Sequence, residues 1–546
     1  MAENYRDMLK DIRQYFPQPV SDRVHDAHVV FSILRAIDRL DDMKSKIPLL
    51  GNTRPLDYES ALREKLSPEG QSLDEVTDEL VKQFEGLPIF GHPRTQVNVV
   101  SPPTISGIIG SLLSTIYNPN LVSDHSSQGL AVAEARVSAM AAELIGYDPQ
   151  RSAGLFTFGG TGTNLYGVKL GIEKAIPGAM EKGIREDALV FASGQSHYSR
   201  LNVTGWLGLG ERSLVEIPTH LQNDMRLDLL EEEARRALGE GKKIAAIIAT
   251  MGTTDAFGID DLEGIVKIRD KLVEDFDLPY RPHVHADAVI GWAWSVFNDY
   301  DFEDNPLGFR PRTTRALAQA CRRLSRLDLA DSLGVDFHKT GFAPYISSLF
   351  LVREREELKS LLRERDRMPY LFQTGERHPG TFTLETSRSG SGVLAALGNL
   401  LLFGKDGLRV LLGHLVEMAE LLRENLEAHS ATTVLNGDNV GTVTLFRVYP
   451  EGVDTWTIKD KERTDPSCAE ILESHNEYNR VVFQELHKEA MTGEGVLLSM
   501  TDCYRHTSYG KPIVALKSYI LSPFVDESHI ELITEKILSI RDRVGG

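Results

Sequence analysis

The residue in this chain best suited to covalent chemistry is a lysine, Lys339, at the end of Asp331-Ser332-Leu333-Gly334-Val335-Asp336-Phe337-His338-Lys339. Burial beside a mostly uncharged segment would lower the pKa of its amine and make it a nucleophile toward an aldehyde, as Schiff-base chemistry requires. Taken alone, a surface lysine after a turn is the plainer reading. A second segment, Phe158-Gly159-Gly160-Thr161-Gly162-Thr163-Asn164, strips side chains from a strand-to-helix turn. The exposed amides there, with the Thr161 hydroxyl, suit a phosphate at a helix N-terminus, although a tight glycine turn explains the pattern as simply. It is neither the P-loop nor the dinucleotide fingerprint. The third is His283-Val284-His285-Ala286-Asp287-Ala288, which sits where a buried strand would end. A carboxylate there needs a cationic partner, and a protonated pyridine nitrogen is one. Alternate strand residues face the same way, so His283, His285 and Asp287 also form a candidate metal set, the basis of a rival metal-dependent hydrolase reading.

These residues need a scaffold. From about residue 150, short apolar runs at 188–192, 244–249 and 348–352 suit buried parallel strands, and they alternate with helical periodicity such as Leu165, Val168, Ile172 and Ala175. This predicts a large α/β domain. Beyond Gly404, a helix over 408–426, strands over 441–448, 495–500 and 513–522, and a helix over 529–540 predict a smaller α+β unit. Near the start, Val30, Ile33, Leu34, Ile37 and Leu40 make an amphipathic helix that needs a partner surface. The expected division is an arm over 1–125 packing on a dimer partner, a large cofactor-binding domain over 126–404 and a small domain over 405–546. The charged run 353–367 reads as a solvated helix face.

Bulk properties narrow the function. A formal charge of −19 over 546 residues repels phosphate backbones, and no basic stripe offsets it, so nucleic acid is not expected as a partner. No segment approaches the run of about 20 apolar residues that a membrane span requires. The charged N-terminal stretch 1–16 lacks a signal-like apolar core, and Cys321, Cys468 and Cys503 are widely spaced, which together favour a reducing cytoplasm.

In order and composition, the three segments resemble the group II pyridoxal-phosphate-dependent decarboxylases, the family of glutamate, aromatic-amino-acid and bacterial tyrosine decarboxylases. The resemblance runs from Gly91-His92-Pro93 through Asn118-Pro119-Asn120, the Gly-Gly-Thr turn, Gln195-Ser196-His197-Tyr198-Ser199 and Gly252-Thr253-Thr254 to Asp287, His338-Lys339 and Gly380-Thr381-Phe382 with Ser387-Arg388. It implies a fold-type I architecture: a large doubly wound, mainly parallel sheet, a smaller C-terminal α+β domain and an N-terminal arm. It also implies pyridoxal 5′-phosphate as cofactor, decarboxylation of an L-amino acid to an amine and carbon dioxide, and a homodimer.

By the same resemblance, Lys339 would hold the cofactor aldehyde, Asp287 would pair with the ring nitrogen and His197 would stack on the ring. Gly160, Thr161 and His338 would anchor the phosphate, with Gly162 in the same turn, and Thr254 would lie near the ring 3′ oxygen. Ser387 would reach the neighbouring subunit's cofactor, and Tyr370, on a loop, would return a proton to Cα. Arg388, beside Ser387, could hold a substrate carboxylate through its guanidinium. Two departures stand out. Val289 replaces a smaller family residue and would press on the ring opposite His197, and the C-terminal strand reads Leu516-Lys517-Ser518-Tyr519-Ile520-Leu521-Ser522 where some members carry an arginine for the α-carboxylate. An aminotransferase or other lyase on this scaffold, or a non-catalytic relative, are the remaining rivals.

Overall fold

The computed structural model describes residues 5–372 and 374–545, without the side chains of Asp7 and Tyr370. Seven strands build the main sheet: β1 (Ala153–Thr157), β2 (Ala188–Ser193), β3 (Leu214–Ile217), β4 (Lys243–Thr250), β5 (His283–Asp287), β6 (Ser332–Asp336) and β7 (Ser348–Val352). Their order is β1-β7-β6-β5-β4-β2-β3. The neighbours from β3 to β6 are parallel, whereas β7 runs antiparallel to both β1 and β6. The expected parallel strand over 348–352 is therefore corrected. Eleven residues, 337–347, separate β6 from β7, just under the dozen or more that a parallel crossover takes. Burial on both faces made the two directions look alike in sequence, since every residue of β7 is buried.

Helices cover both faces of the sheet. The central one, Gly160–Ala175, begins at the glycine turn after β1 and lies close to β4 and β5. A side chain at Gly171 would strike the Ala245 carbonyl, and one at Gly167 would strike His285. Close approach thus explains two glycines inside a helix, where glycine otherwise costs about 1 kcal/mol relative to alanine. The parallel strands deliver their C-terminal ends, Thr250, Asp287 and Asp336, to one edge, where ligands bind in open α/β sheets.

The C-terminal sheet is antiparallel, ordered β10-β11-β9-β8, from β8 (Thr432–Val434), β9 (Val443–Val448), β10 (Ser499–His506) and β11 (Pro512–Tyr519). Helices Ala469–Met491 and Glu527–Gly545 accompany it. The helix Ser391–Glu427 enters this region and is broken at Gly404. The charged run 353–367 is not one solvated helix: it forms the short 3-10 turns Arg355–Leu361 and Arg365–Arg367, with Leu358 and Leu361 buried. Near the start, helix Arg23–Asp42 is capped by Asp22, which accepts from the Val24 and His25 amides, and it meets helix Leu73–Lys82 through an Arg39–Asp78 ion pair of 2.8 Å. Neither helix buries a single residue.

Candidate active site

Lys339 lies in the loop just past β6, its side chain 18% exposed, and its Nζ stands 2.8 Å from Asp336 Oδ2. Burial opposes charge on this amine, but Asp336, and more weakly Asp287, outweigh it, and the pKa is held above the ordinary lysine value. The expected downward shift is thus reversed in the protein by a neighbouring carboxylate. Asp336 is itself fully buried, and the Ser348 hydroxyl donates to its Oδ1 at 2.5 Å.

Across the same cavity, about 150 Å³ in volume, stands Asp287 at the end of β5. Its Oδ2 accepts from Asn164 Nδ2 at 2.9 Å, while Oδ1, also buried, has no hydrogen-bond partner among the described residues. An unpartnered buried carboxylate oxygen is costly unless a donor arrives to meet it. His283 and His285 do not join Asp287 around a common point. Both imidazoles bond the Ser332 hydroxyl, and the Asn164 amide stands between His285 and Asp287. Among the described residues no group of three or more His, Cys, Asp or Glu side chains is placed to hold a metal ion.

The remaining wall fits a phosphorylated, planar ligand. Helix Gly160–Ala175 has no side-chain cap, so the first-turn amides at Gly160 and Thr161 are left to meet an anion at the cavity. At Gly160 a methyl group would come within 3.0 Å of both Asp336 Oδ2 and Val289 Cγ1, so the cradle depends on its absence. Thr254, Val289, His338 and His197 complete the lining. His197 Nδ1 accepts from the Ser199 amide at 3.2 Å. Burial lowers its pKa, helped by Lys339 and opposed by Asp287, so a neutral ring with Nε2 protonated faces the cavity.

The pyridoxal-dependent decarboxylase conserved domain matches residues 57–448. The chain belongs to this decarboxylase family. Fold comparison agrees with that membership. The decarboxylase overlays the glutamate decarboxylase domain of diaminobutyrate-pyruvate transaminase and L-2,4-diaminobutyrate decarboxylase from Vibrio parahaemolyticus with TM-score 0.74 at 19% identity, covering 98% of this chain and 99% of that one. It overlays Oryza sativa TDC with PLP and tryptamine with TM-score 0.77 at 16% identity, covering 97% and 100%. In sequence it is 24% identical to the L-2,4-diaminobutyrate decarboxylase of Acinetobacter baumannii, over 89% of this chain and 87% of the relative. Against the aromatic-L-amino-acid decarboxylase of Bacillus atrophaeus it is 23% identical over 84% and 86%. Membership makes the chain a pyridoxal-dependent decarboxylase. No helix among the described residues is long and apolar enough to cross a membrane.

Not every residue singled out in the sequence reaches the cavity. Arg388 is buried, donating to Glu134 Oε1 at 2.6 Å and to the carbonyls of Leu121 and Phe156, so it is not free to hold a substrate carboxylate. Gly162 faces away, packed against Thr157 and Phe158, and serves the helix start rather than the ligand. Ser387 is exposed at the surface, near Asn120. The backbone of Tyr370 lies in the turn Pro369–Phe372, and its side chain is outside the described residues.

Sequence reasoning passed over Asp336 and Asn164, although both stood in the quoted motifs. An acid three residues before Lys339 was the available signal for Asp336. Asp255 and Lys517 had no such signal, because they come from separate domains. They form a 2.6 Å ion pair on the wall of a neighbouring cavity of about 490 Å³ that shares His197, Lys339 and Tyr345 with the first.

Proposed function

We propose that this chain removes the α-carboxylate of an L-amino acid, with Lys339 holding the cofactor aldehyde and Asp287 Oδ1 meeting the ring nitrogen. The observation that carries this assignment is the partnerless, buried Asp287 Oδ1 in one cavity with Lys339 and the uncapped helix end at Gly160-Thr161. When bound, pyridoxal phosphate supplies the electron sink for the pair left on Cα as carbon dioxide departs. The carboxylate of Asp287 stabilises positive charge on the ring nitrogen, in a water-poor site where such a pair is strong. Gly160, Thr161 and His338 bind the phosphate, and Thr254 and Val289 bound the ring. His197 presents a neutral Nε2–H beside the reacting centre. Tyr370, in the turn Pro369–Phe372, delivers the proton to Cα.

The Asp255–Lys517 pair supports a substrate that carries an extra charge. A carboxylate drawn to Lys517, whose side chain is only 5% exposed, would leave Asp255 without its cation. An amino acid with a second ammonium group on its side chain satisfies both partners, as would L-2,4-diaminobutyrate, named for the Acinetobacter baumannii relative.

A homodimer fits the exposed apolar stripe Ile105, Ile109, Leu113 and Tyr117, which recurs every four residues along helix Ile105–Tyr117, and the uncovered arm helices. Ser387, at the surface, is then available to the partner's cofactor. Three free cysteines suit a cytoplasmic setting. The test is an amino-acid panel assayed for carbon dioxide and keto acid with wild type and Lys339→Ala. Carbon dioxide release that Lys339→Ala abolishes is expected, and keto acid without carbon dioxide would overturn the assignment.

A further inference from the structure

Behind Asp287 runs a line of side chains for which the reaction has no evident use. Lys174 Nζ lies 2.9 Å from His283 Nδ1 and His283 Nε2 lies 2.7 Å from Ser332 Oγ. Ser332 Oγ lies 2.8 Å from His285 Nδ1, His285 Nε2 lies 3.0 Å from Asn164 Oδ1, and Asn164 Nδ2 reaches Asp287 Oδ2 at 2.9 Å. From His283 to Asp287 every member is buried. Only Lys174 approaches solvent, with its side chain 25% exposed and a second bond of 2.9 Å to Glu357.

Chemistry fixes the direction of every link. An ionised carboxylate only accepts, so the NH₂ of Asn164 faces Asp287 and its oxygen must accept from His285 Nε2–H. Burial drives the His285 pKa down to about 3 and that of His283 well below its ordinary value, so both rings are neutral and each carries one proton. His285 Nδ1 therefore accepts the single Ser332 hydroxyl proton. That hydroxyl in turn accepts from His283 Nε2–H, and His283 Nδ1 accepts from the Lys174 ammonium. The Glu357 carboxylate stands 3.6 Å from His283 Nδ1, too far for a hydrogen bond. All five donors point from the rim toward Asp287, an alignment in which each bond polarises the next.

We propose that Lys174, His283, Ser332, His285 and Asn164 are positioning residues for Asp287: a one-way hydrogen-bond chain, headed by a cation, that locks Oδ2 and leaves Oδ1 presented to the cofactor ring nitrogen. The proposal rests on the reading in which Asp287 meets that nitrogen. A chain that merely satisfied buried polar groups would stabilise the fold without influencing the ring.

Holoenzyme reconstituted with ring-¹⁵N-labelled pyridoxal phosphate separates the two by solid-state NMR of wild type, Lys174→Met, Lys174→Arg and Ser332→Ala, alongside fluorescence titration of each apoprotein with the cofactor. Wild type is expected to show a pyridinium signal. In Lys174→Met and Ser332→Ala that signal moves toward neutral pyridine, cofactor affinity falls about tenfold, as for partners behind a ligating side chain, and kcat falls with KM little changed. Lys174→Arg, which keeps a cationic donor, recovers the wild-type signal. A pyridinium signal and cofactor affinity left unchanged in folded Lys174→Met overturns the proposal, and that rim position decides the matter even if Ser332→Ala does not fold. A wild type lacking the pyridinium signal overturns the ring-nitrogen reading and the chain's role with it.

Discussion

Replacing Arg388 with methionine separates a structural arginine from a substrate-binding one. Its guanidinium and the Glu134 carboxylate are 4% and 1% exposed, and the same group satisfies the carbonyls of Leu121 and Phe156. Removing one partner of a buried, hydrogen-bonded pair costs about 3–5 kcal/mol, and two orphaned carbonyls place Arg388→Met toward the upper end. Glu134→Gln relieves the stranded charge, so the double variant should lose less than the sum of the singles, by about 2–3 kcal/mol. The assay is urea unfolding of the four proteins, with steady-state kinetics on the folded fraction. The expected result is a large loss of stability with nearly unchanged KM. If Arg388 instead gripped the substrate, its removal would leave the unfolding midpoint in place and raise KM about tenfold or more, equivalent to at least about 1.4 kcal/mol of binding. That outcome would refute the structural role.

Acidification should destabilise the fold through its buried imidazoles. His285 has a folded pKa of about 3 against an ordinary value of 6.5, so the unfolded chain binds the extra proton as pH falls between them. Stability is therefore full above pH 6.5 and falls below it, by about 2 kcal/mol from His285 alone at pH 5, and a flat urea midpoint between pH 7.5 and 5 would contradict this. Gly160→Ala should leave the fold intact but weaken cofactor binding, because its methyl group enters the space beside Asp336 and Val289. Fluorescence titration of the apoprotein checks this, and unaltered affinity would exclude the cradle. Ile109→Asp with Leu113→Asp should yield a monomer by light scattering, and a persistent dimer would place the subunit contact elsewhere.

How far the site was legible depended on whether its parts lie close in sequence. Lys339, Asp287, His197, Gly160 and Thr161 each stand in a compact motif at a strand end, and the structure brings all five to one cavity. Arg388 misled because a guanidinium beside a surface serine looks free until Glu134, far away in the chain, is folded against it. The direction of β7 was hidden because burial on both faces erases the alternation that marks many antiparallel strands. The strand that carries Lys517 stands out in sequence only for lacking the family's arginine, because its partner Asp255 follows β4 of the main sheet and no local pattern links the two. The mostly uncharged stretch before Lys339 predicts a desolvated amine, and its side chain is 18% exposed, while the sign of its pKa shift turns on Asp336 with a smaller push from Asp287.

The reversed strand β7 has an evolutionary consequence. Because it follows β6 so closely, the lysine loop is stapled at both ends to adjacent strands of the main sheet, with Ser348 on β7 bonded to Asp336 on β6. Lys339 is thereby mounted on a loop anchored at both ends in paired, fully buried strands. Lys517, by contrast, hangs from β11 of the C-terminal sheet. On the proposed reading, mutations there would redraw which amino acid is admitted while leaving Lys339 and Asp287 in place, an arrangement under which one catalytic chassis can diversify across many substrates.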